Sequence, residues 1–293
     1  MQEIKKVIKQ VRKIEIATKH LVDGIIAGNY HSIFKGQGIE FSEIREYRLG
    51  DDIRAIDWKV TARFNKPFIK EFIEERDLRV YFAFDFSASG SFGNTVEKKR
   101  KAIELTATLM FSALRNNDNV GLFIFTDFVE KYIPARKGRK HVLKLISSLI
   151  THKPKSKATN LNNSLSFISN VIKKRSILFI ISDFYSEDFS KPLAILKNRH
   201  DVIAIKVQDS REFNIPDIGL IQLEDEETGE QILINTSDPE FRKNYAKVMK
   251  KQSNNINALF KKYKIDTISI TTDEPYEVPL RKFFRLRKKK VIS

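Results

Sequence analysis

Cysteine is absent from all 293 residues. Disulfides, thiolate zinc sites and a cysteine nucleophile are thereby excluded. A reducing compartment is compatible with that absence but not required by it. Long apolar runs are missing as well. No stretch approaches the roughly 20 residues of a membrane-spanning helix. The N-terminus, "MQEIKKVIKQVRKIEIATKHLV", is charged at helical spacing and lacks the apolar core of a signal peptide. These absences predict a cytoplasmic protein, peripheral to a membrane at most. The five histidines are scattered, with no Ser-His-Asp ordering and no H-x-x-x-H spacing, so nucleophilic catalysis and zinc hydrolysis lack support. Gly36, Gly38 and Gly50 have no accompanying phosphate-loop lysine and read as turn residues. No internal repeat and no long Gly/Ser linker interrupts the chain.

Charge, by contrast, is plentiful and one-sided. Lysine plus arginine total 53 against 37 acids, a net +16. The last thirteen residues, "RKFFRLRKKKVIS", hold seven bases and no acid. Such a tail reads as a solvated, partly disordered end. The alternative is an anionic-surface binder for lipid or nucleic acid. With 41% hydrophobic residues, the rest has enough apolar material for a sizeable core.

Periodicity supplies the fold. Ile4, Val7, Ile8, Val11 and Ile14 mark an amphipathic helix running to about Leu21. "IEFSEI" reads as a short strand, "DDIRAIDWKVTARF" is ambiguous, and "KPFIKEFIEERDL" reads as extended. From Leu78 the pattern becomes regular. "LRVYFAF", "VGLFIFT", "VEKYIP", "SILFIIS", "VIAIKV" and "DTISITT" are strands, and "LIQLEDEETGEQILI" is a hairpin. Amphipathic helices follow Asn94, which forms a capping-type pair with Glu97, and follow Gly138, Thr159 and Asp238. Apolar strands alternating with helices predict an α/β fold, a doubly wound and mostly parallel sheet. The predicted division is an irregular α+β segment over 1–77, the α/β domain over 78–275 and the basic tail over 276–293.

The chemistry sits where apolar strands stop. "LRVYFAFDFSASGSFG" ends a hydrophobic run on Asp85 and then places Ser87, Ser89 and Ser91 at alternate positions. An extended segment puts every second side chain on one side, so Asp85, Ser87 and Ser89 can face one ion. Asp183 ends a second strand, and Thr159 stands just before a helix. If those strands are neighbours, Asp85, Ser87, Ser89, Thr159 and Asp183 form an all-oxygen set. That set suits a hard cation, Mg²⁺ before Mn²⁺ or Ca²⁺, with a coordination position left open. Ser91 reads as a cap or spacer, and Asp127 as a turn residue in a hairpin. Asp51 and Asp52 read as caps of a short helical turn, and Asp57 as the partner of a nearby arginine. Trp58, the one tryptophan, reads as a buried anchor packing the N-terminal block against the α/β domain.

"DFSAS", "KATNL" and "IISDF" together resemble the three loops of the metal-ion-dependent adhesion site of von Willebrand factor A domains. The upstream "GQGIEFSEIREYRLGDDIRAIDWKVTARFNKPFIKEFIEERD" resembles the hallmark block of domain of unknown function 58. This second resemblance runs from about Ile14 to Thr272. It implies a von Willebrand factor A-type fold, no established enzymatic activity and a partnership with a MoxR-type AAA+ ATPase. The expected function is thus a non-enzymatic, metal-dependent protein-binding adaptor whose ion accepts a partner carboxylate. A metal-dependent phosphoesterase or nuclease is the competing class.

Overall fold

The computed structural model describes residues 2–22, 39–74, 78–87, 95–224 and 231–292. Gly36, Gly38, Ser89, Ser91, Asn94 and the acidic turn of the expected hairpin lie outside these. In chain order the elements are α1 (Gln2–Leu21), β1 (Ile39–Glu46), α2 (Trp58–Phe64), β2 (Phe68–Glu74), β3 (Arg79–Asp85), α3 (Thr95–Arg115), β4 (Asn119–Phe125) and β5 (Val129–Arg136). Then come α4 (Arg139–Thr151), α5 (Leu161–Val171), β6 (Ile177–Ser182), α6 (Ser190–Arg199), β7 (Asp201–Gln208), β8 (Leu220–Glu224), β9 (Gln231–Asn235), α7 (Pro239–Lys262), β10 (Asp266–Thr271) and α8 (Glu277–Ile292). Sequence periodicity leaves helix α6 unassigned. Among the described residues no helix is long and apolar enough to cross a membrane.

Contacts divide the chain into a larger unit, residues 1–33 with 79–293, and a smaller one, 34–78. The larger unit is mixed α/β around one six-stranded sheet, ordered β10-β7-β6-β3-β4-β5. All pairings are parallel except β4 with β5. Helices bury the strands: Val80, Phe82, Ala83, Phe123, Phe179 and Ile180 are fully buried, which is why these strands read as continuous apolar runs. Phe82 stacks on Phe179 across the β3–β6 pair, with ring centroids 5.1 Å apart. Gly121 is set by close approach, since a Cβ there would lie 2.5 Å from the Tyr81 ring.

Two expectations change. Helix α1, grouped by sequence with residues 1–77, packs instead against α3 and α4, burying Val11 and pairing Glu15 with Arg139 at 2.7 Å. The C-terminal segment is not a solvated end. Residues 277–292 form α8, which packs on β10 and buries Leu280, Phe283 and Phe284. Arg281, Lys282, Arg285, Lys288 and Lys289 occupy the outer face of a helix whose apolar residues recur at helical spacing, while Arg287 turns inward to Asp201 and Asp266.

In the smaller unit β1 and β2 form an antiparallel pair. The acids there exchange the roles expected of them. Asp51 receives a two-pronged bond from Arg45 at 2.8 and 2.9 Å, which holds its carboxyl down at about 2. Asp57 caps α2 through the amides of Lys59 and Val60 and pairs with Lys70 at 3.2 Å. Asp52 caps the single turn at 53–55, as expected. Trp58 opens α2 and is 68% exposed, not the buried anchor its chemistry suggested.

Candidate metal site

Strand order decides where the site lies. The chain leaves β3 for β4 on one side, while β6, β7 and β10 build the other side. The order therefore reverses between β3 and β6, and in open parallel sheets ligands bind outside the carboxyl ends at that point. Phe84 pairs with Ile181, so Asp85 and Asp183 leave the sheet from adjacent strands at this crevice.

The first loop is held tightly. Asp85 Oδ1 accepts from the Ser87 amide at 2.9 Å and from Ser87 Oγ at 2.6 Å. Asp85 Oδ2 accepts from Ser182 Oγ at 2.7 Å. Neighbouring ligands of an octahedral Mg²⁺ lie about 3 Å apart, so the Asp85 and Ser87 oxygens fit one coordination sphere. On the second loop, Asp183 Oδ1 accepts from the Tyr185 amide at 3.1 Å. Phe184 between them has φ 64, a left-handed backbone uncommon for an aromatic residue. The Ser182 hydroxyl on its amide and the Phe260 ring against its own hold that turn, and strain of this kind clusters at functional sites. Ser89 lies outside the described residues.

Thr159 is half-buried on the loop between α4 and α5. That loop is tied at both ends. Asn160 caps α5, and the Leu161 amide donates to Ser186 Oγ, at 3.2 Å, on the Asp183 loop. At the other end Glu130 of β5, its side chain wholly buried, accepts from Thr126 Oγ1 at 2.9 Å and from the amides of Lys155 and Ser156 at 2.9 and 3.3 Å. His152 contacts the same carboxylate at 2.9 Å and sets its ring edge-on to Phe86, next to Asp85. Glu130 thus links the Thr159 loop to the Asp85 loop. Burial opposes its charge, but these donors outweigh burial and hold its carboxyl below the usual range. Asp127 lies in the turn from β4 to β5, where the Thr126 amide bonds the Phe128 carbonyl.

The surroundings of Asp85 disfavour its charge. Burial first, and then the like charge of Asp183, push the Asp85 carboxyl up to about 6, against the hydrogen bonds from Ser182 and Ser87. Three groups here escape sequence reasoning. Ser182 orients Asp85. Lys98 of α3 is buried and lies 3.3 Å from Asp183 Oδ2 and 2.6 Å from Glu212 Oε1. Glu212, in the turn after β7, is 3% exposed. A polar residue closing the apolar run "ILFIIS" was a usable signal for Ser182. Lys98 sits in "EKKRK" and Glu212 in "DSREF", runs that look like any solvated surface.

Among the described residues no group of three or more His, Cys, Asp or Glu side chains gathers as a metal cluster. The expected set has only two carboxylates, its other donors being hydroxyls. The chemistry of Asp85 and Ser87, oxygen donors with uncompensated negative charge, fits a hard divalent cation.

Known proteins place the chain in a family. It is 28% identical over 292 residues to the uncharacterized protein Rv1480 of Mycobacterium tuberculosis and equally to Mb1516 of Mycobacterium bovis, covering 98% of this chain and 92% of each relative. An aerotolerance-related membrane protein from Bacteroides fragilis aligns over 73% of this chain and 99% of its own, at 15% identity and a TM-score of 0.45, too distant to carry a functional argument. Residues 43–255 match the family described as "Protein of unknown function DUF58", and the chain belongs to that family.

Proposed function

We propose that the larger unit is a von Willebrand factor A-type domain binding a protein partner through a divalent cation, Mg²⁺ before Mn²⁺ or Ca²⁺. Asp85, Ser87, Ser89, Thr159 and Asp183 are its ligands, directly or through water. The observation that carries this reading is the meeting of Asp85, Ser87 and Asp183 at the reversal of strand order, with serine hydroxyls outnumbering carboxylates beside Asp85. A bound ion would supply an electrophilic centre that neutral hydroxyls leave largely unquenched, so it accepts a carboxylate from another chain. Family resemblance makes that chain a MoxR-type AAA+ ATPase and this protein its cytoplasmic, non-enzymatic adaptor.

The test is a pull-down from the native cell in Mg²⁺ and in EDTA, with wild type and Asp85→Ala. An AAA+ partner lost in EDTA and with Asp85→Ala supports the reading. Equal retention in all arms places the interface elsewhere. Phosphatase or nuclease turnover with Mg²⁺ or Mn²⁺, abolished by Asp85→Ala, would replace the adaptor with a hydrolase.

A further inference from the structure

We propose that Lys98 is a built-in counter-cation: its ammonium holds Asp183 when no ion is bound and withdraws to Glu212 when a divalent cation enters. This rests on the metal-binding reading above and adds its regulation. Asp183 Oδ1 is engaged by the Tyr185 amide, so Oδ2 is the oxygen left to face an ion. Lys98 Nζ lies 3.3 Å from that Oδ2. Its side chain is only 7% exposed and lies in the interior rather than sweeping solvent.

Glu212 gives the ammonium somewhere to go. Its Oε1 accepts from Lys98 at 2.6 Å, and its buried Oε2 has no hydrogen-bond partner among the described residues. A carboxylate with one oxygen unused has the capacity to hold the ammonium alone. The other buried ammonium near these acids, Lys206, donates to Ser253 Oγ at 2.8 Å. Among Asp85, Asp183, Glu212, Lys98 and Lys206, one negative charge is left over. A divalent ion turns this into one positive charge, which a single partner carboxylate neutralises. A cation near Asp183 also repels Lys98, so the two compete for one oxygen. Competition of this kind keeps the resting site from holding an ion tightly until a partner adds its own ligand.

Mn²⁺ binding to the full chain, followed by calorimetry and by the electron paramagnetic resonance of free Mn²⁺, tests this. Lys98→Met is expected to bind Mn²⁺ about tenfold or more tightly than wild type, because the competing charge is gone. Glu212→Gln is expected to bind it more weakly, because the ammonium loses its second carboxylate and stays on Asp183. Asp85→Ala is expected to abolish binding in every background. If Lys98→Met binds equally or more weakly while Asp85→Ala still abolishes binding, Lys98 merely supports the site; the proposal falls and the metal reading stands. If no variant binds Mn²⁺, or Asp85→Ala leaves binding intact, the metal reading falls with it. Should Lys98→Met fail to fold, Lys98→Gln takes its place. With Lys98 in place, an undiminished affinity in Glu212→Gln overturns the proposal.

Discussion

The two edges of the six-stranded sheet bury charge in opposite ways. At the amino edge, Asp201 and Asp266 open β7 and β10, and Arg287 of α8 meets both, lying 3.2 Å from Asp266. Lys197 stands 4.0 Å from Asp201 as well. Bases meet acids there, around an arginine side chain only 12% exposed. At the carboxyl edge, Lys98 bonds Asp183 and Glu212, while Asp85 is held by hydroxyls and feels the like charge of Asp183. A fold selected only for stability would match charge at both edges. An excess of acid at one edge is what the proposed cation site would require, since function is commonly held at some cost in stability.

Breaking the amino edge is expected to have the largest effect. Phe284 of α8 is fully buried and packs against Phe283 at 5.4 Å between ring centroids. Phe284→Ala is expected to destabilise the protein by about 3–5 kcal/mol, the range for a large aromatic lost from a core, as measured by urea unfolding. Deleting Arg281 to Ser293 removes that ring, Phe283 and Arg287 together, and is expected to leave little cooperative transition. A melting temperature unchanged by the deletion would return the segment to the solvated tail its composition resembles.

At the carboxyl edge the same kind of change is expected to act with the opposite sign. Asp85→Asn keeps the shape but removes a buried charge beside another. It is expected to stabilise the ion-free protein by roughly 1 kcal/mol at pH 7, less than the raised pKa alone implies because the carboxylate keeps some accessible surface. The direction with pH follows from that pKa. The folded value, about 6, lies above the ordinary 3.8. The contribution of Asp85 to stability is therefore fully present below about 4 and lost as pH rises through 6. Melting curves from pH 4 to 7 without divalent ions should show this component in wild type and not in Asp85→Asn. Added Mg²⁺ should raise the wild-type melting temperature more at pH 7 than at pH 5, because it binds the ionised carboxylate. An Mg²⁺ effect equal in wild type and Asp85→Asn would remove the difference between the edges.

The contrast also explains what the chain disclosed before folding. Strand ends are legible because a buried parallel strand must be apolar and the loop that leaves it turns polar at once. "FAFDFS" and "FIISDF" are abrupt for that reason, and their adjacency needed only the order of the sheet. Lys98 and Glu212 were illegible because α3 is amphipathic and basic throughout its first turns, and nothing local distinguishes the lysine that turns inward. The tail misled for the opposite reason. Seven bases in thirteen residues outweighed Phe283 and Phe284, whose partners on the sheet lie far away in sequence. Short-range patterns report which faces exist. Whether a face is covered depends on contacts that no window spans.

An effect no larger than that of Asp85→Asn is expected from an acid near the site whose charge is held by hydrogen-bond donors. Glu130 accepts from a hydroxyl, two backbone amides and His152, and its carboxyl lies below the ordinary range. Glu130→Gln retains an acceptor oxygen for Thr126, Lys155 and Ser156 but loses the charge that strengthens those bonds. The cost is expected to be about 1 kcal/mol, the difference between charged and neutral acceptors. Its pH signature should run against that of Asp85: the stabilisation is present above the ordinary value of 4.5 and lost as pH falls through the lowered one. Glu130→Gln should therefore flatten the acid limb of the stability profile, where Asp85→Asn flattens the rise in stability from pH 6 down to 4. Because Glu130 staples the loop bearing Thr159, the substitution should also weaken Mn²⁺ binding severalfold without abolishing it. Unchanged Mn²⁺ affinity alongside the expected loss of stability would make the staple a purely architectural device and remove Thr159 from the ligand set.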